Sequence, residues 1–105
     1  MNNQAIEAGL RKTLGELEER LTKVRSDMSK GHSADFAEQV TERENDEVLE
    51  GIAAETQASI SDIRAALSRI HDGTYGVCIR CGRAINAERL TAVPETALCM
   101  TCASA

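Results

Sequence analysis

Four residues dominate what this chain could do chemically: Cys78, Cys81, Cys99 and Cys102, its only cysteines. They form two C-x2-C pairs separated by seventeen residues. Two residues between paired cysteines let both sulfurs face one ion while the backbone turns beneath them. The longer gap accommodates a hairpin or a small helical turn that brings the second pair opposite the first. Four soft thiolates suit Zn²⁺ in tetrahedral geometry. Four protein ligands leave no position open for water or substrate, so the expected site holds one structural zinc. A redox dithiol is the rival reading of a single C-x2-C. Two such pairs at this spacing, with no βαβ pattern around them, favour metal.

The neighbouring residues fit a small zinc ribbon. Gly82 follows Cys81 directly, where the turn of a knuckle calls for positive φ. Ile79, Ile85, Leu90, Val93 and Leu98 offer a minimal apolar core, and Tyr75 is placed to pack the ribbon against whatever precedes it. Neither His32 nor His71 is needed as a ligand. His71 reads as a residue near a helix C-terminus, where a cation interacts with the dipole.

The elements that hold this site are helical. From Ile6 to Ile70 there is no proline. Leu10, Leu14, Leu17, Leu21, Val24 and Met28 recur in alternating steps of four and three, a heptad seam. A second seam of the same kind runs through Leu49, Ala53, Thr56, Ile60, Ile63, Leu67 and Ile70. Folded antiparallel, the seams pair Leu10 with Leu67, Leu14 with Ile63 and Leu17 with Ile60. The pairing continues through Leu21 and Thr56, Val24 and Ala53, and Met28 and Leu49, and centres the turn between Glu38 and Gln39. The first helix is expected to end near Ser29-Lys30-Gly31, with Gly31 as its left-handed cap. A turn over 31–37 follows, and Asp35 with Glu38 fits a capping box opening the second helix. That helix stops at His71-Asp72-Gly73, and Gly73-Thr74-Tyr75-Gly76 links it to the ribbon. The expected fold is mostly α: a long antiparallel coiled-coil helical hairpin (residues 1–72) with a small C-terminal four-cysteine zinc ribbon (residues 73–105).

Composition narrows the function. The chain has 105 residues, with one Phe, one Tyr and no Trp. So short a chain with so few large apolar residues needs a staple, and metal supplies one. Its formal charge of −5 suits proteins or metal ions as partners better than phosphate backbones, so no direct DNA binding is expected. Residues 33–62 carry nine acids against one base, Arg43, which makes the projecting end of the hairpin acidic. No apolar run approaches a membrane span, and the first residues lack the blocks of a signal peptide. The expectation is a cytoplasmic protein, where reduced cysteines favour metal over disulfides. A seam closed within one chain argues for a monomer. No Ser-His-Asp, Cys-His or open metal constellation is present, so an enzyme is not expected.

The ribbon reads Tyr75-Gly76-Val77-Cys78-Ile79-Arg80-Cys81-Gly82, then Ile85, Arg89-Leu90, Ala92, Pro94 and Leu98-Cys99-Met100-Thr101-Cys102. With the hairpin before it, this resembles the DksA/TraR family of bacterial transcription regulators over almost the whole chain. The resemblance implies direct binding to bacterial RNA polymerase, with the coiled coil in the secondary channel and an acidic tip near the catalytic centre. The family's tip pattern, D-x2-D-x-A, falls on Asp35-Phe36-Ala37-Glu38-Gln39-Val40. Asp35 matches, Glu38 adds a methylene, and Val40 stands where the family has alanine. The tip region is thus near 33–42, with Asp35, Glu38 and Val40 facing polymerase.

Family members that respond to the alarmone ppGpp carry basic residues where this chain has Asp62, Val93 and Ala103. Its sequence also ends where the family continues into a C-terminal helix. The resemblance therefore implies no ppGpp synergy through this region. Two other functions fit the same residues. A zinc-ribbon adaptor would bind another protein without using the tip. A transcript-cleavage stimulator like the Gre factors would use Asp35 and Glu38 to help hold a second Mg²⁺ in the polymerase.

Overall fold

The structure, a computed structural model, describes residues 3–28 and 36–105, with side chains described throughout these except over 36–45. Two long helices dominate: α1 (Asn3–Met28) and α2 (Phe36–Asp72). Two short ones follow, α3 (Ala87–Ala92) and α4 (Met100–Ala103). No strand occurs among the described residues, only one isolated antiparallel bridge between Val77 and Ala84. The expected mostly α fold with its C-terminal four-cysteine cluster is the one observed.

The heptad reading describes which residues leave water. Leu10, Leu21, Val24, Thr56, Ile60 and Ile63 are buried, and Ile6, Leu14, Leu17, Met28, Leu49, Ala53, Leu67 and Ile70 are half-buried. Thr56 is the one buried polar residue of the seam. Its hydroxyl donates to the Ile52 carbonyl one turn back at 2.7 Å, which satisfies it without a partner across the seam. Ala66, which lies one residue short of the next seam position, is fully buried. A stripe of period 3.6 is wider than a strict heptad line, so small residues beside the seam are covered too.

The chain forms two compact units. One joins Met1–Leu14 to Ser61–Ala105, and the other is Gly15–Ile60. Each brings early α1 residues together with late α2 residues, or late with early, the antiparallel sense expected of a hairpin. In the first unit, the end of α2 also carries the zinc-finger segment.

The helix stops are local chemistry. Gly73 has φ 80°, and the amides of Gly73 and Thr74 donate to Ile70 O (3.3 Å) and Arg69 O (2.9 Å), so the last turn of α2 closes on its own carbonyls. His71 lies in that last turn, as expected. α2 opens at Phe36, earlier than the end of the turn expected over 31–37. A helix begins at the residue after its cap, so a turn drawn through 37 overran it. Asp35, Gly31 and His32 lie outside the described residues. Glu38 and Val40 lie within α2, but their side chains are not among those described.

Candidate metal centre

The zinc-finger segment starts at a rigid joint. The Tyr75 amide donates to Arg69 O at 3.1 Å, and its phenol donates to Pro94 O at 2.8 Å. Its ring packs on a core of Cys78, Ile85 and Leu90. Tyr75 thus ties the end of α2 to the zinc-finger core, as its position in the sequence suggested. Burial raises its hydroxyl's pKa, against the lowering pull of Arg69.

Two different turns present the cysteines. In the first knuckle the Gly82 amide donates to Cys78 O (2.9 Å) and the Cys78 amide to Arg83 O (2.8 Å). Gly82 has φ 76°, the left-handed value expected of it, and Gly76 (φ 87°) does the same at the entry to the segment. The second knuckle is the start of α4. Cys99 precedes its first residue, and the Ala103 amide donates to Cys99 O at 2.9 Å, so Cys99 and Cys102 sit on one helical turn. The seventeen-residue gap is filled by α3, whose start is capped by Asn86 accepting from the Glu88 amide at 2.7 Å. The Ile79 amide donates to Ala97 O at 3.0 Å and so holds one knuckle against the approach to the other.

All four thiol sulfurs lie within 4.8 Å of one another. A tetrahedral site with Zn–S bonds of about 2.3 Å needs sulfurs about 3.8 Å apart, and the Cys81 and Cys99 sulfurs are 3.7 Å apart. The donor set fits a single zinc ion. The amides of Cys99 and Cys81 donate toward Cys78 and pull its thiol down to about 6. Amide donation from Cys102 lowers Cys99. Cys102 is pushed up to about 12, by burial first and then by its hydrogen bonds to the other three sulfurs. Crowded thiols share their protons unequally as a group until a dication takes the protons' place.

Two arginines buttress this centre, and the cysteine spacing gave no sign of them. Arg89 donates from Nε to Leu98 O (2.8 Å) and from Nη2 to Thr96 Oγ1 (3.1 Å). Thr96 Oγ1 in turn donates to Leu98 O and accepts the Leu98 amide. Arg69, from α2, reaches Glu95 O and Thr96 O. The loop leading into Cys99 is therefore held by guanidinium groups rather than by a strand. Arg89 was visible only as part of a pattern beside Leu90; Arg69 and Thr96 carried no signal.

The expected core needs one correction. Ile85 and Leu90 are buried, and Val93 and Leu98 half-buried, but Ile79 is 69% exposed. Between two cysteines whose sulfurs turn to one ion, the intervening side chains point outward. In place of Ile79, Cys78 itself fills the core.

Exchanging Gly82 for alanine tests the knuckle. No heavy atom lies within 4 Å of where its Cβ would be, so the cost is conformational alone, about 1–2 kcal/mol for an L-residue at this φ. The expected result is roughly tenfold weaker zinc binding in competition with a chelator. Equal affinity would show that the turn relaxes without strain.

Two family profiles describe the chain between them. The DnaK suppressor protein-like N-terminal domain matches residues 6–70, and the prokaryotic dksA/traR C4-type zinc finger matches residues 73–105. The chain belongs to the DksA/TraR family. With the four sulfurs in place, its C-terminal segment is a C4-type zinc finger built for one zinc ion. The solution structure of DnaK suppressor protein from Agrobacterium tumefaciens C58 is 40% identical, with a TM-score of 0.70 over 99% of this chain and 93% of that one. Transcription factor DksA2 from Pseudomonas aeruginosa is alike in fold. Its TM-score is 0.78 at 23% identity, over 96% of this chain and 79% of that one. General stress protein 16O of Bacillus subtilis is 38% identical over 79 residues, which are 72% of this chain and 47% of that protein. An uncharacterized protein of Aquifex aeolicus is 41% identical over 58 residues, 55% of this chain and 40% of its own length. The chain thus spans less than half of these two relatives. The DksA/TraR fold is that of transcription regulators rather than of enzymes. No described helix is long and apolar enough to cross a membrane.

Proposed function

We propose that this chain regulates transcription by binding bacterial RNA polymerase directly. The hairpin (residues 1–72) enters the secondary channel, and the tip near 33–42 acts close to the catalytic centre. Asp35 and Glu38 face basic groups or metal there, and Val40 sets the bulk of the tip. Cys78, Cys81, Cys99 and Cys102 hold the structural zinc, and the finger (residues 73–105) braces the base. The chain works as a monomer in the cytoplasm and contacts no DNA. What carries this reading is the family's helical domain and C4 finger following one another in a single chain. No ppGpp synergy is expected through the region beside the finger. Asp62 and Val93, which replace basic family residues, line one cleft beside the finger, and a carboxylate there repels polyphosphate.

The test is the lifetime of open complexes at a ribosomal promoter, with polymerase alone, with this protein, and with Asp35→Asn. The expected result is a several-fold shorter lifetime with the wild-type protein, most of it lost in Asp35→Asn, and no further change on adding ppGpp. An unchanged lifetime with the wild-type protein would favour the adaptor. Cleavage of a backtracked transcript would favour the Gre-like reading.

A further inference from the structure

The two residues inside the first cysteine pair grip the second pair at both ends. The Ile79 amide donates to Ala97 O at 3.0 Å, on the approach to Cys99. The Arg80 guanidinium donates from Nη1 to Cys102 O at 3.2 Å, at the far end of the same knuckle. Almost any residue could make the first bond, since it uses backbone alone. The second needs a long side chain that ends in a donor.

Charge gives Arg80 a second task. Four thiolates around one dication carry a net charge of two negatives. Against this, residues 73–105 supply Arg80, Arg83 and Arg89, offset by Glu88 and Glu95. Arg89 bonds to Leu98 O, on the peptide that leads into Cys99. Arg80 bonds to the carbonyl of one of the four cysteines itself. The Arg83 side chain has no hydrogen-bond or ion-pair partner among the described residues. A guanidinium that donates to a neutral carbonyl keeps its full charge. Arg80 therefore ties the knuckles together and brings a cation to the thiolates with the same group. Groups one step out from a metal change its affinity by about ten- to a hundredfold. Arg80 is exposed, so water and salt screen it, and the lower end of that range applies.

We propose that Arg80 is a positioning residue for the zinc ion: it clasps the second knuckle to the first and offsets part of the negative charge of the four thiolates. The cysteines alone would still bind the metal, and Arg80 makes them hold it more tightly. The inference uses only the finger, and it stands apart from the assignment of polymerase as partner.

Zinc affinity of the full chain, measured against a competing chelator in low and in molar salt, tests it. Arg80→Gln keeps an amide donor but no charge, and in low salt it should bind zinc about tenfold more weakly than the wild type. In molar salt, where the screening length is about 3 Å, that deficit should shrink to less than about threefold. Arg80→Lys keeps both charge and donor and should stay within about threefold of the wild type. Arg83→Gln removes the same charge from a side chain without a bond to the second knuckle, and should also stay within about threefold. Cobalt(II) in place of zinc should give the absorption of a tetrahedral thiolate site in every variant, as the sign that each finger folds. The proposal is overturned if Arg80→Gln binds zinc as tightly as the wild type, or if its deficit is the same in molar salt. It is also overturned if Arg80→Lys or Arg83→Gln is as weak as Arg80→Gln, or if Arg80→Gln loses the tetrahedral cobalt spectrum. Because polymerase is absent, failure here is separate from failure of the open-complex experiment.

Discussion

Replacing Cys78 with serine is expected to weaken zinc binding at least a hundredfold and to loosen the finger while leaving most of the helix intact. Structural zinc is worth on the order of 10–16 kcal/mol across its ligands, so losing one thiolate costs about 3 kcal/mol, or roughly two orders of magnitude in zinc affinity. Cys78 should cost more than its share. It is buried, and with Ile85 and Leu90 it makes up the whole buried core of the finger. A hydroxyl there lacks a soft donor for the metal and leaves a polar group in the core. The segment has little else of regular structure to hold it, since its only sheet contact is the single bridge from Val77 to Ala84. Tyr75 is the natural reporter, since it is the only tyrosine and there is no tryptophan. Near-ultraviolet circular dichroism should lose the Tyr75 signal in Cys78→Ser, and in the wild type under a strong chelator. The far-ultraviolet helix signal should fall only slightly, because α3 and α4 hold 6 and 4 residues against 26 and 37 in α1 and α2. Zinc affinity in Cys78→Ser equal to that of the wild type in competition with a chelator, with the tyrosine signal unchanged, would rule out Cys78 as a ligand.

Ile60→Ala is expected to be the most damaging single change in the helices. Ile60 is 1% exposed and lies in the seam four residues after Thr56. Isoleucine-to-alanine changes at buried positions cost about 2–5 kcal/mol, from lost transfer energy and from the cavity left behind. At the upper end this is a large share of the stability of a small domain. The melting temperature followed by helix signal should drop by more than about 10 °C. Val48→Ala makes the comparison fair: it also removes apolar bulk from α2, but Val48 is 60% exposed, so its change should stay within about 0.5 kcal/mol. Equal melting of the two variants would mean that the seam does not carry the stability of the helices.

Much of this protein is legible one residue at a time. The seams could be read because a helix repeats its faces at a fixed spacing, so periodic apolar residues declare what leaves water. The metal centre could be read because zinc accepts few donor types and few spacings. Gly73 and Gly82 could be read because left-handed backbone excludes most side chains. Ile79 could not. Its chemistry says core, and its place between two cysteines turned toward one ion puts it outside.

By itself, then, the sequence determined the two long helices, the faces they bury, where α2 stops, and the four-thiolate centre. Each of these depends on local spacing and on the preferences of single residue types. Only the tertiary structure decided that Arg69 and Arg89 hold the loop into Cys99, that Tyr75 hydrogen-bonds to Pro94, and that Ile79 and Asp62 border one cleft. These depend on which residues distant in sequence become neighbours. A guanidinium that satisfies carbonyls twenty-six residues away reads, in one dimension, like any other exposed charge on a helix.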